Sequence, residues 1–334
     1  MKKLLNDPQL YVEQMLEGLV LAHPEYYERT GEDGRIIKRP GPVRQGKVGI
    51  VSGGGSGHLP IFTGYVGKGL LDACAIGEVF SSPSVDQMAG AMRAANGGAG
   101  VLRLYGNYGG DRMNFDMAGD MLEMEDVRST TVLLADDVAS APAAEKEKRR
   151  GVAGMVYAYK LAGAAAEAGA DLDEVTRVAQ KAADAVRSIG AALTPCTVPM
   201  AGRPTFSIGD DEMEMGMGIH GEPGVWRGKL RPADAVAGEM MDHLLGDMPL
   251  ARGDRVSVLV NSLGATPPEE LYILYRVVAA RLADAGATIV MPLVGRYATS
   301  MEMTGMSLSI CKLDDELEML LKQPCDCPFW RVGA

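Results

Sequence analysis

The side chains best placed for chemistry are two of the four histidines and one aspartate. His58 closes the run Ser52-Gly53-Gly54-Gly55-Ser56-Gly57-His58, and His220 stands in Gly218-Ile219-His220-Gly221. Flanking glycines leave an imidazole room and bring the backbone close to a ligand. Asp111 ends Gly106-Asn107-Tyr108-Gly109-Gly110-Asp111. A carboxylate there can accept a proton from a substrate hydroxyl. It can also cap a helix starting at Arg112, and the two roles are compatible. His23, in a polar stretch, and His243, inside a helical run, read as surface or packing residues. Asp136-Asp137 read as capping or solvent-exposed rather than metal-binding, and no cysteine or histidine spacing marks a metal site.

The elements that must position these residues follow from apolar spacing. Val48 to Val51 reads as a buried strand, with Gly53 to Gly57 as a tight loop after it and a helix over 60–71. Such a loop at a helix N-terminus collects oxygen-rich ligands on free N–H groups. The loop has no Lys-Ser/Thr ending of a phosphate-cradling loop, and no acidic residue closes a second strand at the dinucleotide-binding distance. Further along come helices over 8–22, 85–96 and 112–124, strands over 101–105 and 130–135, a loop at 77–84, and an Ala-rich helical stretch over 151–190. The loops at 53–57, 106–111 and 136–137 lie at carboxyl ends of strands, where parallel α/β sheets bind ligands. A boundary near Ser188-Ile189-Gly190 divides the chain into 1–187, with the Gly-rich loop and Asp111, and 188–334, with His220. The second part carries a strand face with Met213, Met215 and Met217, helices over 233–245 and 267–286, and strands near 255–260, 288–294 and 306–312. The fold class is α/β: two α/β domains, the first with a largely parallel sheet, and a ligand site between them.

Composition bounds the function. At 334 residues the chain has room for two cores. Lys and Arg number 33 against 44 Asp and Glu, a net charge of −11, which disfavours nucleic acid or an anionic membrane as a partner. The N-terminus breaks into Asn6-Asp7-Pro8 before any apolar run, unlike a signal peptide, and no stretch approaches a membrane span. Five cysteines, an odd number, fit a reduced, cytoplasmic protein.

Three motifs together carry a resemblance: Ser52 to His58, Asn107 to Asp111 followed by Asn114-Phe115, and Gly216-Met217-Gly218-Ile219-His220-Gly221-Glu222-Pro223-Gly224. With Asp136-Asp137-Val138-Ala139, Arg149 to Gly154 and Asn261 to Thr266, in order from end to end, the chain resembles the substrate-binding K subunit of dihydroxyacetone kinases. The resemblance implies a two-domain homodimer that binds a short ketose as a hemiaminal to His220. His58 and Asp111 would then serve the reacting hydroxyl, and Gly53, Gly54, Gly55, Ser56, Gly57 and Gly106 the substrate. It implies no cofactor or metal on this chain. Mg²⁺ and ATP or ADP belong to a separate L subunit, fed directly by ATP or through a phosphotransferase-type M subunit. Two positions depart from the family pattern: Leu59 stands for a common glutamate and Gly106 for a frequent lysine. They leave open dihydroxyacetone, erythrulose or a branched ketose. The rival from another class is a non-catalytic, ketose-binding regulator; a Rossmann-type oxidoreductase has only the Gly-rich loop behind it.

Overall fold

In the computed structural model, which describes residues 2–333, the β-branched and Gly-rich runs form two six-stranded sheets. The first is built from β1 (Glu28–Thr30), β2 (Ile36–Lys38), β3 (Gly49–Ser56), β4 (Ala73–Val79), β5 (Val101–Gly106) and β6 (Ser129–Leu134), in the order β1-β2-β4-β3-β5-β6. Its four strands from β4 to β6 run parallel, and β1 and β2 add an antiparallel edge. All eight residues of β3 are buried, as a strand covered on both faces requires.

The second sheet takes β7 (Val186–Thr194), then, after a short ribbon of β8 (Thr197–Val198) and β9 (Arg203–Pro204), β10 (Glu212–Met215), β11 (Trp226–Lys229), β12 (Arg255–Ser262), β13 (Thr288–Gly295) and β14 (Thr304–Leu313). Its order is β11-β10-β7-β14-β12-β13, antiparallel apart from the β12/β13 pair. A final hairpin, β15 (Cys325–Cys327) and β16 (Trp330–Val332), ends the chain.

Among the described residues, eight α-helices cover these sheets: α1 (Tyr11–Ala22), α2 (Val85–Ala95), α3 (Gly109–Glu123), α4 (Met155–Glu167), α5 (Leu172–Ala185), α6 (Ala233–Asp247), α7 (Pro268–Asp284) and α8 (Asp315–Lys322). On the first sheet, Met88 and Met92 of α2 and Phe115 of α3 pack against Val51 and Tyr105. On the second, Met240, Leu271 and Val278 of α6 and α7 pack against Val256, Val258 and Val260, while Leu259 turns to the opposite side. That alternation is the period of two of a strand with helices on one face. Helix α4 lies between the sheets. Its Tyr159 hydroxyl meets Ser52 Oγ of β3 at 2.8 Å, and its Tyr157 hydroxyl meets Ser257 Oγ of β12 at 3.0 Å. A helix apolar on every side can be buried this way, and every residue from Met155 to Ala166 is. The sheets are also joined by backbone: Ser188 N–H donates to Asp136 C=O at 2.8 Å, and Val138 N–H to Ser188 C=O at 3.0 Å.

Several expectations are corrected. The glycines at 53–55 are strand residues of β3, and only Gly57, at φ +105, turns the chain. Residues 60–71 form no α-helix; a single 3-10 turn spans Thr63–Tyr65. Ile61, Tyr65, Val66, Leu70 and Leu71 are buried at spacings that mimic a helix, but the path is set by Gly67 and Gly69, which press on the backbone of Asp326 and Pro324. Strand β4 runs through Glu78 to Val79, where a loop over 77–84 and no strand closed by an acidic residue were expected. Helix α3 begins at Gly109, so Asp111 lies in its first turn instead of capping it from outside. The 151–190 stretch is two helices followed by a strand, because the chain turns at Gly169, φ +91, and Val186 to Gly190 pair with β14. Asp136 is fully buried and accepts from the Val152 and Gly154 amides at 2.9 and 2.8 Å, at the start of α4; it caps without being solvent-exposed.

Candidate functional site

Strand β3 delivers His58 to the gap between the two lobes. Its Nδ1 lies 2.7 Å from the Thr299 carbonyl, which can only accept, so Nδ1 carries the proton and Nε2 is left facing the gap. Phe80 stacks on the ring at 4.8 Å and 21°. Burial, then the neighbouring His220, push the His58 imidazole down to about 3, so it stays neutral near pH 7.

His220 comes from the other lobe, on the turn that follows β10. Glu222, two residues on, wraps round it: the His220 amide donates to Oε2 at 2.9 Å, and Nδ1 lies 2.9 Å from Oε1. The turn that allows this needs Gly221 at φ +90. Burial works to raise the Glu222 carboxyl, but the hydrogen bond and charge of His220, with Arg150 behind, hold it at about 2. Arg150 itself bonds Asp137 Oδ2 at 2.9 Å and the Gly216 carbonyl at 3.2 Å, pinning the start of the turn.

With Nδ1–H given to Glu222, His220 Nε2 points at His58 Nε2, 3.0 Å away. A contact that short between two ring nitrogens is a hydrogen bond when the pair holds one proton between them.

Asp111 completes the cluster. It is 7% exposed and accepts a hydrogen bond from Ser82 Oγ. Burial raises its carboxyl to about 6, with Ser82 and His220 opposing. Gly55, Gly106, Tyr108, Asp111, His58 and His220 line one cavity of about 20 Å³. Room for about one water is all that the abutting imidazoles leave.

Five expected site residues therefore meet: Gly55, His58, Gly106, Asp111 and His220. Gly53 and Gly54 lie within β3, close against Phe115 and Phe62, and do not line this cavity. Ser56 and Gly57 line a different cavity, on the far side of the His58 segment. Sequence reasoning gave no role to Glu222, Tyr108, Phe80, Ser82 or Thr299. Glu222 had a signal, its place two residues after a Gly-flanked histidine. The others become neighbours only in three dimensions.

A Dak1 domain matches residues 17–329. The chain belongs to the Dak1 family. It is 47% identical over 331 residues to the Listeria innocua protein named PTS-dependent dihydroxyacetone kinase 1, dihydroxyacetone-binding subunit DhaK, a match covering 99% of this chain and 100% of the relative. It is 44% identical over 334 residues to D-erythrulose kinase of Mycolicibacterium smegmatis, spanning 57% of that protein. Among solved structures, the dihydroxyacetone kinase of C. freundii superposes with a TM-score of 0.89 at 32% identity, covering 99% of this chain and 60% of the other. The dihydroxyacetone kinase operon co-activator Dha-DhaQ superposes with the same TM-score of 0.89 at 31% identity, covering 96% and 99%. The Dak1 fold here is thus the mixed α/β arrangement with a parallel first sheet.

Proposed function

We propose that this Dak1 chain is the ketose-binding, catalytic subunit of a two-component kinase, holding a short ketose covalently on His220 while a separate nucleotide-bearing L subunit supplies the phosphoryl group. The observation that carries the proposal is the facing pair of Nε2 atoms, one ring fixed by Thr299 and the other by Glu222, with Asp111 in the same cavity. For capture, the shared proton moves to His58, freeing the His220 Nε2 lone pair. That pair attacks the ketone carbon, a C–N bond forms, and the C=O π electrons pass to oxygen. The oxygen takes the proton from His58 Nε2, leaving a carbinol and a substituted imidazolium beside Glu222. No proton is exchanged with solvent. A polyol has no carbonyl to attack, so ketoses are separated from glycerol by chemistry rather than by fit. Asp111, with a carboxyl near neutrality, then accepts the proton of the terminal hydroxyl as its oxygen attacks phosphorus.

Of the two departures from the family pattern, only Gly106 borders the cavity, and Leu59 faces away. A Cβ at 106 would press on the Tyr108 ring at 3.2 Å.

The test is a crystal soaked with dihydroxyacetone, and a second soaked with erythrulose. Continuous density from His220 Nε2 to the carbonyl carbon is expected, and none with glycerol. Ketose bound away from His220 would sink the proposal. The second reading, a ketose-binding regulator, is favoured by the co-activator's superposition, whereas Asp111 favours the kinase, since a sensor needs no base. With Mg-ATP and dihydroxyacetone, sugar phosphate is expected only once an L subunit is added; none in either case would favour the regulator.

A further inference from the structure

Phe80, the residue after β4, lies against both imidazoles. Its ring stacks on His58 at 4.8 Å and 21°, and meets His220 edge to face at 5.2 Å and 74°. The hydrogen bond from His58 Nδ1 to the Thr299 carbonyl fixes one corner of the imidazole but leaves the ring free to roll about that bond. The other aromatic neighbours of His58 among the described residues, Phe62 and His220, meet it at 74° and 75°, so Phe80 is the flat contact that sets its plane. The backbone is strained to put it there. Phe80 has φ +58, a region that bulky side chains rarely enter. Such strain persists where the surroundings over-determine it, and it gathers at functional sites. Here the Phe80 N–H donates to the Ser56 carbonyl at 3.0 Å, and the ring packs on a second-lobe cluster that includes Met217, Leu263 and Met303. Gly55 and Gly57 make way for it: a Cβ at either would stand 2.7 Å from a carbon of Phe80.

We propose that Phe80 is a positioning residue for ketose capture: its ring fixes the plane of His58 so that the two Nε2 atoms meet, and keeps water from the proton they share. An imidazole rolled out of that plane would aim its Nε2 lone pair away from His220, and a hydrogen bond weakens steeply as it loses alignment. The partly exposed Phe80 ring covers one face of His58, which is itself only 3% exposed. Apolar cover of this kind hinders leakage of a proton to solvent. The effect on capture rests on the proposed function, in which the proton must pass from one Nε2 to the other. The protected proton itself does not rest on it.

The experiment follows the ring N–H protons of the full chain by NMR, with histidine isotope-labelled at its ring nitrogens, and measures dihydroxyacetone affinity on the same samples. In the unsubstituted chain a downfield proton on an Nε2 nitrogen is expected, lost in both His58→Ala and His220→Ala. Phe80→Gly suits the positive φ and removes the ring. It is expected to broaden that resonance away by exchange with water and to weaken dihydroxyacetone binding at least about tenfold. Phe80→Leu, which keeps apolar bulk without a flat face, is expected to do both to a smaller extent, and it decides the matter if Phe80→Gly does not fold. Phe80→Tyr keeps the face and is expected to retain both properties. Absence of the resonance from the unsubstituted chain, its persistence in Phe80→Gly or Phe80→Leu, or its equal loss in Phe80→Tyr would overturn the proposal. Weakened binding with the resonance intact would make Phe80 a packing residue and overturn it as well. If the resonance behaves as stated while the unsubstituted chain binds no dihydroxyacetone, the positioning of His58 stands and the ketose reading fails.

Discussion

Asp111 shows how the site sets its residues against stability. Burial lifts its carboxyl from the ordinary value of 3.8 to about 6. The folded protein therefore prefers the protonated acid, and ionisation costs stability as pH rises from 4 through 6. Above that window the full cost is present, up to about 3 kcal/mol. Asp111→Asn is expected to raise the thermal midpoint at pH 8 and to leave it unchanged below pH 4. It is also expected to slow phosphoryl transfer about 10²–10⁴-fold while ketose still binds. With the L subunit added, turnover on the unsubstituted chain is expected to fall as pH drops through about 6, because the carboxylate that accepts the proton is lost. A flat profile from pH 5 to 7 would remove Asp111 from that role. Glu222 acts by positioning. Glu222→Gln no longer requires a proton on His220 Nδ1, and a loss of about 10²-fold in ketose affinity is expected, with a changed pH profile. Retained affinity with an unchanged profile would show that the tautomer is fixed by something else.

Helix α4 is the element that holds the lobes in register. Its Gly163 lies against the backbone of Gly69 and Leu70, and a Cβ there would overlap the Gly69 carbonyl. Gly163→Ala is expected to cost about 1–3 kcal/mol, read as a lower urea midpoint at unchanged slope. Residues 60–71 show why this contact was not legible in the sequence. The apolar positions obey a helical period, yet their path is dictated by glycines meeting residues at the far end of the chain. By contrast the first half of β3, and β5 and β6, were legible, because each carries an apolar run that ends near a glycine or an aspartate. His58, Asp111 and His220 were legible for the same local reason. Ser82 and Thr299, which orient Asp111 and His58, were not, since no pattern in their own segments marks them.

At the scale of the molecule, one apolar core serves both sheets. Ile50 and Leu104 of the first, Leu161 of α4, and Leu259 and Leu313 of the second belong to the same cluster. A fragment of residues 1–187 would expose the second-sheet side of α4, and it is expected to lack a cooperative urea transition and dispersed amide signals. A sharp two-state transition in that fragment would refute the shared core. The backbone bonds at Asp136, Val138 and Ser188 add a further consequence. Two lobes stitched strand to strand beside the site cannot swing apart like a clamshell without breaking sheet-type hydrogen bonds. Entry of a ketose into a 20 Å³ cavity must instead be a local event, in which the turn bearing His220 swings aside while the frame stays still. The doorway is a turnstile. Hydrogen exchange would register it as fast amides at 218–221 set against a slow, unmoved amide at Ser188.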